Sequence, residues 1–185
     1  MLSRDEIVKQ LTASMGKTTV VALSKTLKKQ NIAFRDVVDL TFHPDKQVAF
    51  RAAWLMDTMY FDDPLFYLND IDYLLQQIPN ITYPASKRHY SRITLNLTSP
   101  RSPKAILDKL ANIDLEPVVE HFFDWMIDPK VKVAVKVFVT EVLFNLRGRY
   151  PWVNEELASQ IQYLMRDGTA AIQSMGKRVL KGLEK

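Results

Sequence analysis

The sequence of 185 residues contains no cysteine and only five glycines. Without cysteine the chain can form neither a disulfide nor a thiolate metal site. So few glycines argue against a β architecture, because many tight turns need glycine at positive φ. Lysines and Glu141 interrupt the most apolar segment well before it reaches the roughly 18 residues of a membrane span. These absences favour an all-α soluble domain and predict no membrane partner.

A secretory signal is also missing. The first ten residues, MLSRDEIVKQ, lack the apolar core of a signal peptide, so the sequence predicts a cytoplasmic protein. The formal net charge is only +4, which permits an acidic partner without requiring one. With a hydrophobic content of 47%, the length suits one sizeable core. We therefore predict a single domain over residues 1–185.

Recognisable catalytic motifs are absent as well. The three histidines are far apart and form no His-x3-His or His-Glu-x2-His pair, so no metal site is predicted. No Gly-x-Ser-x-Gly elbow of a serine hydrolase occurs. Gly16-Lys17-Thr18 resembles the end of a P-loop, but Leu11 stands where that loop needs its first glycine. The sequence thus predicts no catalytic residue and no cofactor.

The strongest pattern present is a pair of helical segments between Leu115 and Leu146, separated at Asp128-Pro129. The first segment has apolar residues at the i, i+3, i+4, i+7 spacing of a helix with one buried face. The second is apolar nearly all round and keeps only a thin polar strip at Lys132, Lys136 and Thr140. Such a helix is buried on more than one side. We expect the second segment to be a central layer with the first outside it.

Similar periodicity, interrupted by prolines and glycines, predicts about ten or eleven helices in the whole chain. Two hairpins share one plan. Setting Pro44 on Pro129 aligns the segments 48–53 and 133–138, so that Arg51 matches Lys136. The preceding helices also match, with Val37-Val38 opposite Phe122-Phe123. A third copy fits between them, with Lys87-Arg88 on Phe50-Arg51. Repeated units of this size are typical of two-helix solenoids.

This pattern resembles the HEAT/armadillo superfamily of α-solenoids over about residues 32–146. The likeness is carried by His43-Pro44-Asp45 with Val48 and Arg51-Ala52-Ala53, and by Asp128-Pro129 with Val133 and Lys136. It departs from the family where the middle copy lacks an Asp-Pro turn. The resemblance implies an α-α superhelix, with repeat-like hairpins at 31–148 and capping helices at 1–30 and 149–185.

In a solenoid the inner helices line the concave face, which is the usual binding surface. The resemblance places six cations on these helices: Arg51, Lys87, Arg88, Arg92, Lys132 and Lys136. The outer helices carry mainly acidic residues. This predicts a non-catalytic module that binds an acidic protein or peptide on a basic inner face, with nucleic acid as another partner to consider. The alternative that the charged strips only keep a buried layer soluble stays open.

The fold also suggests one enzymatic alternative. HEAT-like DNA glycosylases that excise alkylated bases are small solenoids with a basic cleft, and they use Trp, Asp and Arg side chains there. The corresponding candidates are Trp54, Asp57 and either Arg88 or Arg92. This alternative, a DNA-binding or alkylation-repair protein, rests on analogy of fold rather than on a complete motif.

Overall fold

The computed structural model describes residues 2–13 and 15–184, and all regular structure within these ranges is helical. Residues 1, 14 and 185, which belong to the predicted domain and its capping regions, lie outside the described residues. The described ranges contain eleven α-helices: α1 (Arg4–Thr12), α2 (Lys17–Lys29), α3 (Phe34–Leu40), α4 (Lys46–Asp62), α5 (Ile71–Gln76), α6 (Pro84–Thr98), α7 (Lys104–Ala111), α8 (Glu116–Ile127), α9 (Val133–Leu146), α10 (Val153–Met165) and α11 (Ala170–Leu183). Two short 3-10 helices, Leu68–Asp70 and Ile78–Asn80, flank α5. The predicted all-α class is confirmed. None of the described helices is long and apolar enough to cross a membrane.

The chain divides into two compact units, unit 1 (Met1–Ile93) and unit 2 (Thr94–Lys185), and the division falls within α6. In unit 1, α4 packs against α1, α2 and α3. In unit 2, α9 packs against α8, α10 and α11. Each unit is therefore built around one central helix, and α9 takes the central place that its apolar surface predicts. The single domain over residues 1–185 stays a prediction.

Short polar side chains determine where several helices begin and end. Ser3 and Glu6 form a capping box at α1, in which each side chain accepts a hydrogen bond from the other residue's backbone N–H. Asp45 caps α4, since its Oδ1 accepts from the N–H of Gln47 at 2.7 Å. After α2 the chain turns at Asn31, whose φ of 50° is in the left-handed region that asparagine tolerates.

Two arginines hold the ends of earlier helices. Arg51 Nη1 donates to the carbonyl oxygens of Leu11, at 2.6 Å, and Ala13, at 2.5 Å, where α1 ends. In unit 2, Arg149 donates in the same way to the carbonyl of Leu110, at 2.8 Å, and to that of Ile113. The last carbonyls of a helix lack intrahelical partners and carry partial negative charge, so a guanidinium is well suited to them.

The pattern of buried residues shows how the hairpin of α3 and α4 corresponds to the hairpin of α8 and α9. In α3 and α8 it pairs Val37 with Phe122, as the sequence alignment predicts. In α4 and α9 the patterns agree only when Ala49 is paired with Lys136. The predicted match of Arg51 with Lys136 is therefore wrong by two residues. The reason is the turn, because α4 starts two residues after its proline and α9 starts four residues after Pro129.

A candidate partner-binding face and a lysine-lined cavity

The four cations that the sequence assigns to the binding face of unit 1 have different surroundings. Arg51 is half-buried and is engaged by the end of α1. Lys87 is half-buried on α6, and Arg88, one residue later, is exposed. Arg92 lies one turn beyond Arg88 on the same side of α6 and is also exposed. In unit 1, Arg88 and Arg92 are therefore the predicted cations that a partner would reach most directly.

Arg92 is held in place from two sides. Its Nη1 donates to Asp57 Oδ2 at 2.6 Å, and its guanidinium carbon lies 4.0 Å from the centre of the Phe61 ring. The Asp57 side chain is 7% exposed, whereas that of Arg92 is 47% exposed. Asp57 thus lies within the fold, while much of the arginine remains open to solvent. A guanidinium has five donors in a planar fork, so this contact leaves others for an acidic group.

Aromatic residues surround this ion pair. Phe50, Trp54, Asp57 and Phe61 follow the spacing that places side chains on one side of a helix. The Phe50 ring is 39% exposed, and its centre lies 6.3 Å from that of His89. We use the name arginine face for the surface formed by Phe50, Trp54, Asp57 and Phe61 of α4 together with Arg88, His89 and Arg92 of α6.

The sequence reasoning identified part of the arginine face. Trp54, Asp57 and the arginines were candidates, and the structure brings Asp57 and Arg92 together. Phe50 and Phe61 are not predicted as site residues from the sequence. The signal that could have found the two phenylalanines is their helical spacing from Trp54 and Asp57 along α4.

The two predicted cations of unit 2 differ even more sharply. Lys132 is exposed at the start of α9. Lys136, one turn later, is only 8% exposed and has no hydrogen-bond or ion-pair partner among the described residues. Burial lowers the pKa of Lys136, and the negative charge of Asp128 only partly opposes that effect. Solvent still reaches its ammonium nitrogen, which is not one of the fully buried polar atoms.

Lys136 lines a cavity of about 470 Å³ near Pro129 and the beginning of α11. Arg166, Gly168 and Thr169 line the same cavity. Thr169 occupies the N-cap position of α11 but its side chain does not cap the helix. We name this space the lysine cavity.

Unit 1 has a counterpart of the lysine cavity in the corresponding place. A cavity of about 410 Å³ is lined by the turn at Pro44, the first turns of α4 and the start of α6. Ala49, the counterpart of Lys136, lines it, as does Ser86 of α6. The Ser86 hydroxyl is buried and has no hydrogen-bond partner among the described residues. Lys46 lines it as well but is exposed, so the two cavities share their position in the hairpin and differ in whether a lysine is buried at the cavity.

Unit 2 has an ion pair of the same kind, although Glu141 lies one turn before the position that corresponds to Asp57. Arg178 of α11 donates from Nη1 to Glu141 Oε2 of α9 at 3.0 Å. Each unit therefore joins a carboxylate of its central helix to an arginine of a later helix. Among the described residues, no group of three or more histidine, aspartate or glutamate side chains is arranged to hold a metal ion.

Comparison with protein families gives one match. The model of a HEAT repeat domain matches residues 7–183, which is nearly the whole chain. No curated protein and no solved structure matches the chain. HEAT repeats form scaffolds that often mediate protein interactions. The repeated hairpins, the all-helical fold and this match together show that the chain belongs to the HEAT repeat domain family, the α-α superhelix class that its sequence predicts.

Proposed function

We propose that this HEAT repeat domain is a non-catalytic interaction module that binds an acidic protein or peptide. Its predicted contacts are the cations on the inner helices: Arg51, Lys87, Arg88, Arg92, Lys132 and Lys136. Within unit 1 we place the main contact on the arginine face. The carboxylates of the partner would bind Arg88 and Arg92, and its apolar residues would pack on Phe50.

The observation that carries the proposal is the state of Arg92. Asp57 and Phe61 hold the guanidinium, while the side chain remains 47% exposed. Because its position is already fixed, binding an anion costs less side-chain entropy than ordering a mobile arginine would. Arg88 has no ion-pair partner among the described residues and lies next to Arg92 on α6, so two positive groups face solvent together.

The experiment measures binding of a fluorescent peptide of glutamate and leucine residues by anisotropy at low and moderate salt. The variant Arg88→Glu should weaken binding about tenfold, the loss expected when a charge-assisted contact is replaced by repulsion. Lys25→Glu is the matched control, since it changes the same charge on an exposed residue of α2 in unit 1. Equal loss in both variants, or no binding at low salt, would contradict the proposal.

A second candidate function is nucleic-acid binding with DNA alkylation repair. It is favoured by one observation, namely that Asp57 and Arg92, two of the candidates from that resemblance, are in contact. It ranks second because Asp57 is buried and already paired with Arg92. Salt-dependent retention of the protein on duplex DNA, lost in the double variant Arg88→Glu with Arg92→Glu, would support binding. Release of alkylated bases from treated DNA would be needed to support repair.

A further inference from the structure

The lysine cavity in unit 2 contains donors of hydrogen bonds that are not satisfied by the described residues. Lys136 is 8% exposed and without a partner. The cavity also reaches the N-terminus of α11, a helix of fourteen residues whose N-cap side chain makes no capping hydrogen bond. The N–H groups of Ala170, Ala171 and Ile172 have no acceptor in the described structure. A buried cation and a helix N-terminus therefore line one cavity.

Both features favour negatively charged oxygen atoms. A helix N-terminus combines unpaired N–H donors with partial positive charge and is a well-suited place for phosphate or carboxylate. An ammonium group that is partly shielded from water binds an anion more strongly than one in open solvent. Arg166 adds a second cation at the cavity, and the carboxylate of Asp167, which lines it as well, is exposed. Asp128 acts on Lys136 only as a nearby charge, and its Oδ1 accepts from the N–H of Lys130 at 2.8 Å.

The turn that leads into α11 is tightly packed. A Cβ atom at Gly168 would lie 2.5 Å from the Leu164 carbonyl oxygen and 2.6 Å from Ile172 Cγ2. No larger residue fits there without a shift of the backbone. The start of α11 is therefore held in a fixed position beside Lys136, as a site for a small anion requires.

A second cavity, of about 710 Å³, adjoins the lysine cavity and indicates what carries the anion. Pro129 and Tyr163 line both spaces, so the two are neighbours within unit 2. Two exposed apolar side chains lie at this place, Ile127 at 47% and Tyr163 at 61%, and Asp124 and Asp128 line the same cavity. An anion next to an apolar group is the chemistry of a modified peptide rather than of a free ion or a nucleic-acid backbone.

We propose that the lysine cavity binds the phosphate group of a phosphorylated peptide, with an adjacent apolar side chain of that peptide on Ile127 and Tyr163. This inference rests on the proposed function in one respect, because it supplies a class of acidic partner. Phosphate is preferred to carboxylate since its three terminal oxygens can accept together from Lys136, Arg166 and the N–H groups of α11. The counterpart cavity in unit 1 has Ala49 at the position of Lys136 and only the exposed Lys46 as a lysine, so it should bind phosphate more weakly.

The test is a titration of the ¹⁵N-labelled full chain, followed by NMR, with a short peptide that carries one phosphoserine beside leucine. The amide signals of Ala170, Ala171 and Ile172 should shift on binding, and those of the unit 1 cavity should shift less. Lys136→Gln should weaken binding at least about tenfold. Lys177→Gln, which changes an exposed cation of α11 that lines neither of these cavities, should weaken it less than about twofold.

A second variant keeps the test valid if Lys136→Gln fails to fold. Ala170→Pro removes one N–H donor at the first position of α11, where proline is well tolerated, and Thr169 has the extended ψ of 166° that must precede it. This variant should also weaken phosphopeptide binding.

Four further probes decide the nature of the ligand: the unphosphorylated peptide, its glutamate analogue, inorganic phosphate and duplex DNA. All should bind more weakly than the phosphopeptide. Equal binding of the glutamate analogue would overturn the preference for phosphate, and equal binding of inorganic phosphate or DNA would overturn the assignment to a peptide. Equal losses in Lys136→Gln and Lys177→Gln would overturn the site itself. Failure of the proposed function is seen separately, because that experiment uses an unphosphorylated peptide and Arg88 in unit 1.

Discussion

Unit 1 and unit 2 repeat one plan of helices but carry different polar residues. In unit 1 the central helix α4 pairs Asp57 with Arg92, and its cavity is lined by Ala49 and Ser86. In unit 2 the central helix α9 pairs Glu141 with Arg178, and its cavity contains Lys136. The two units therefore share their arrangement of helices and their burial pattern but not their polar side chains. This indicates that the two units present different sites on a similar framework.

The largest effect is expected from the matched core positions of α3 and α8. Phe122 and Val37 are both fully buried. Phe122→Ala should lower the free energy of unfolding by about 3–5 kcal/mol because it leaves a large cavity, and Val37→Ala by about 2 kcal/mol because fewer carbons are lost. Denaturant unfolding measures both. Ile127→Ala, at an exposed position of α8, should change stability by less than about 1 kcal/mol; a similar loss there would contradict the assigned facing.

The next effect compares the two ion pairs. The Asp57 side chain is 7% exposed and that of Glu141 is 17% exposed. Asp57→Asn should destabilise the protein by about 1–2 kcal/mol, because Arg92 loses its charged partner at a buried site. Glu141→Gln should cost less than about 1 kcal/mol, since water replaces the carboxylate more readily. Thermal unfolding of both variants measures which one loses more stability. A larger loss of stability in Glu141→Gln than in Asp57→Asn would contradict this prediction.

The burial of Lys136 should make the stability of the protein depend on pH, an effect that Ala49 at the corresponding position of unit 1 cannot produce. Burial lowers the pKa of Lys136 in the folded state below its usual value of 10.5. At pH values between the folded-state pKa of Lys136 and 10.5, the unfolded chain binds more protons at this residue than the folded chain does. In that range the residue therefore makes stability rise with pH, and below the folded-state pKa it lowers stability. Lys136→Met should therefore stabilise the protein by about 1 kcal/mol at neutral pH, and the gain should shrink as pH approaches 10.5.

Denaturant unfolding of Lys136→Met and of the original chain at a series of pH values measures this difference. Lys132→Met serves as the control, since an exposed lysine should show no such trend. A gain that is constant with pH would mean that the charge of Lys136 is not what makes it costly.

The smallest effect concerns the cavity of unit 1. The Ser86 hydroxyl is buried without a partner among the described residues, and its counterpart in α11 is Ile172. Ser86→Ala should therefore stabilise the protein by about 0.5 kcal/mol, because an unsatisfied polar group is removed at little cost in packing. A melting temperature lowered by this change would show that the hydroxyl makes a useful hydrogen bond.

Much of the fold could be predicted from periodicity. The apolar surface of the segment from Val133 to Phe144 is enough to place α9 at the centre of unit 2, and the breaks at Pro44 and Pro129 locate both hairpin turns. The register of α9 could not be predicted, because a helix that is apolar nearly all round has no single face to align. Its first residue depends on the geometry of the turn after Pro129, and that geometry leaves little trace in the sequence.

The candidate sites were predicted only in part for a related reason. Charge and spacing identify Arg88 and Arg92 as cations on one side of a helix. They do not reveal that Arg51 is engaged by the end of α1, since its acceptors are backbone carbonyls that any residue would provide. The burial of Lys136 depends on α11, which lies far away in sequence. Long-range packing, rather than local pattern, decides which cations are available.

The engagement of Arg51 has a practical consequence for mapping the partner. Charge reversal at Arg51 would place a carboxylate against the carbonyl oxygens of Leu11 and Ala13, and this repulsion would loosen the end of α1. Lost affinity in such a variant would then report a loosened amino-terminal segment, visible as faster protease cleavage near Ala13. Arg149 imposes the same condition on α7, so mutational surveys of this protein should leave both arginines unchanged.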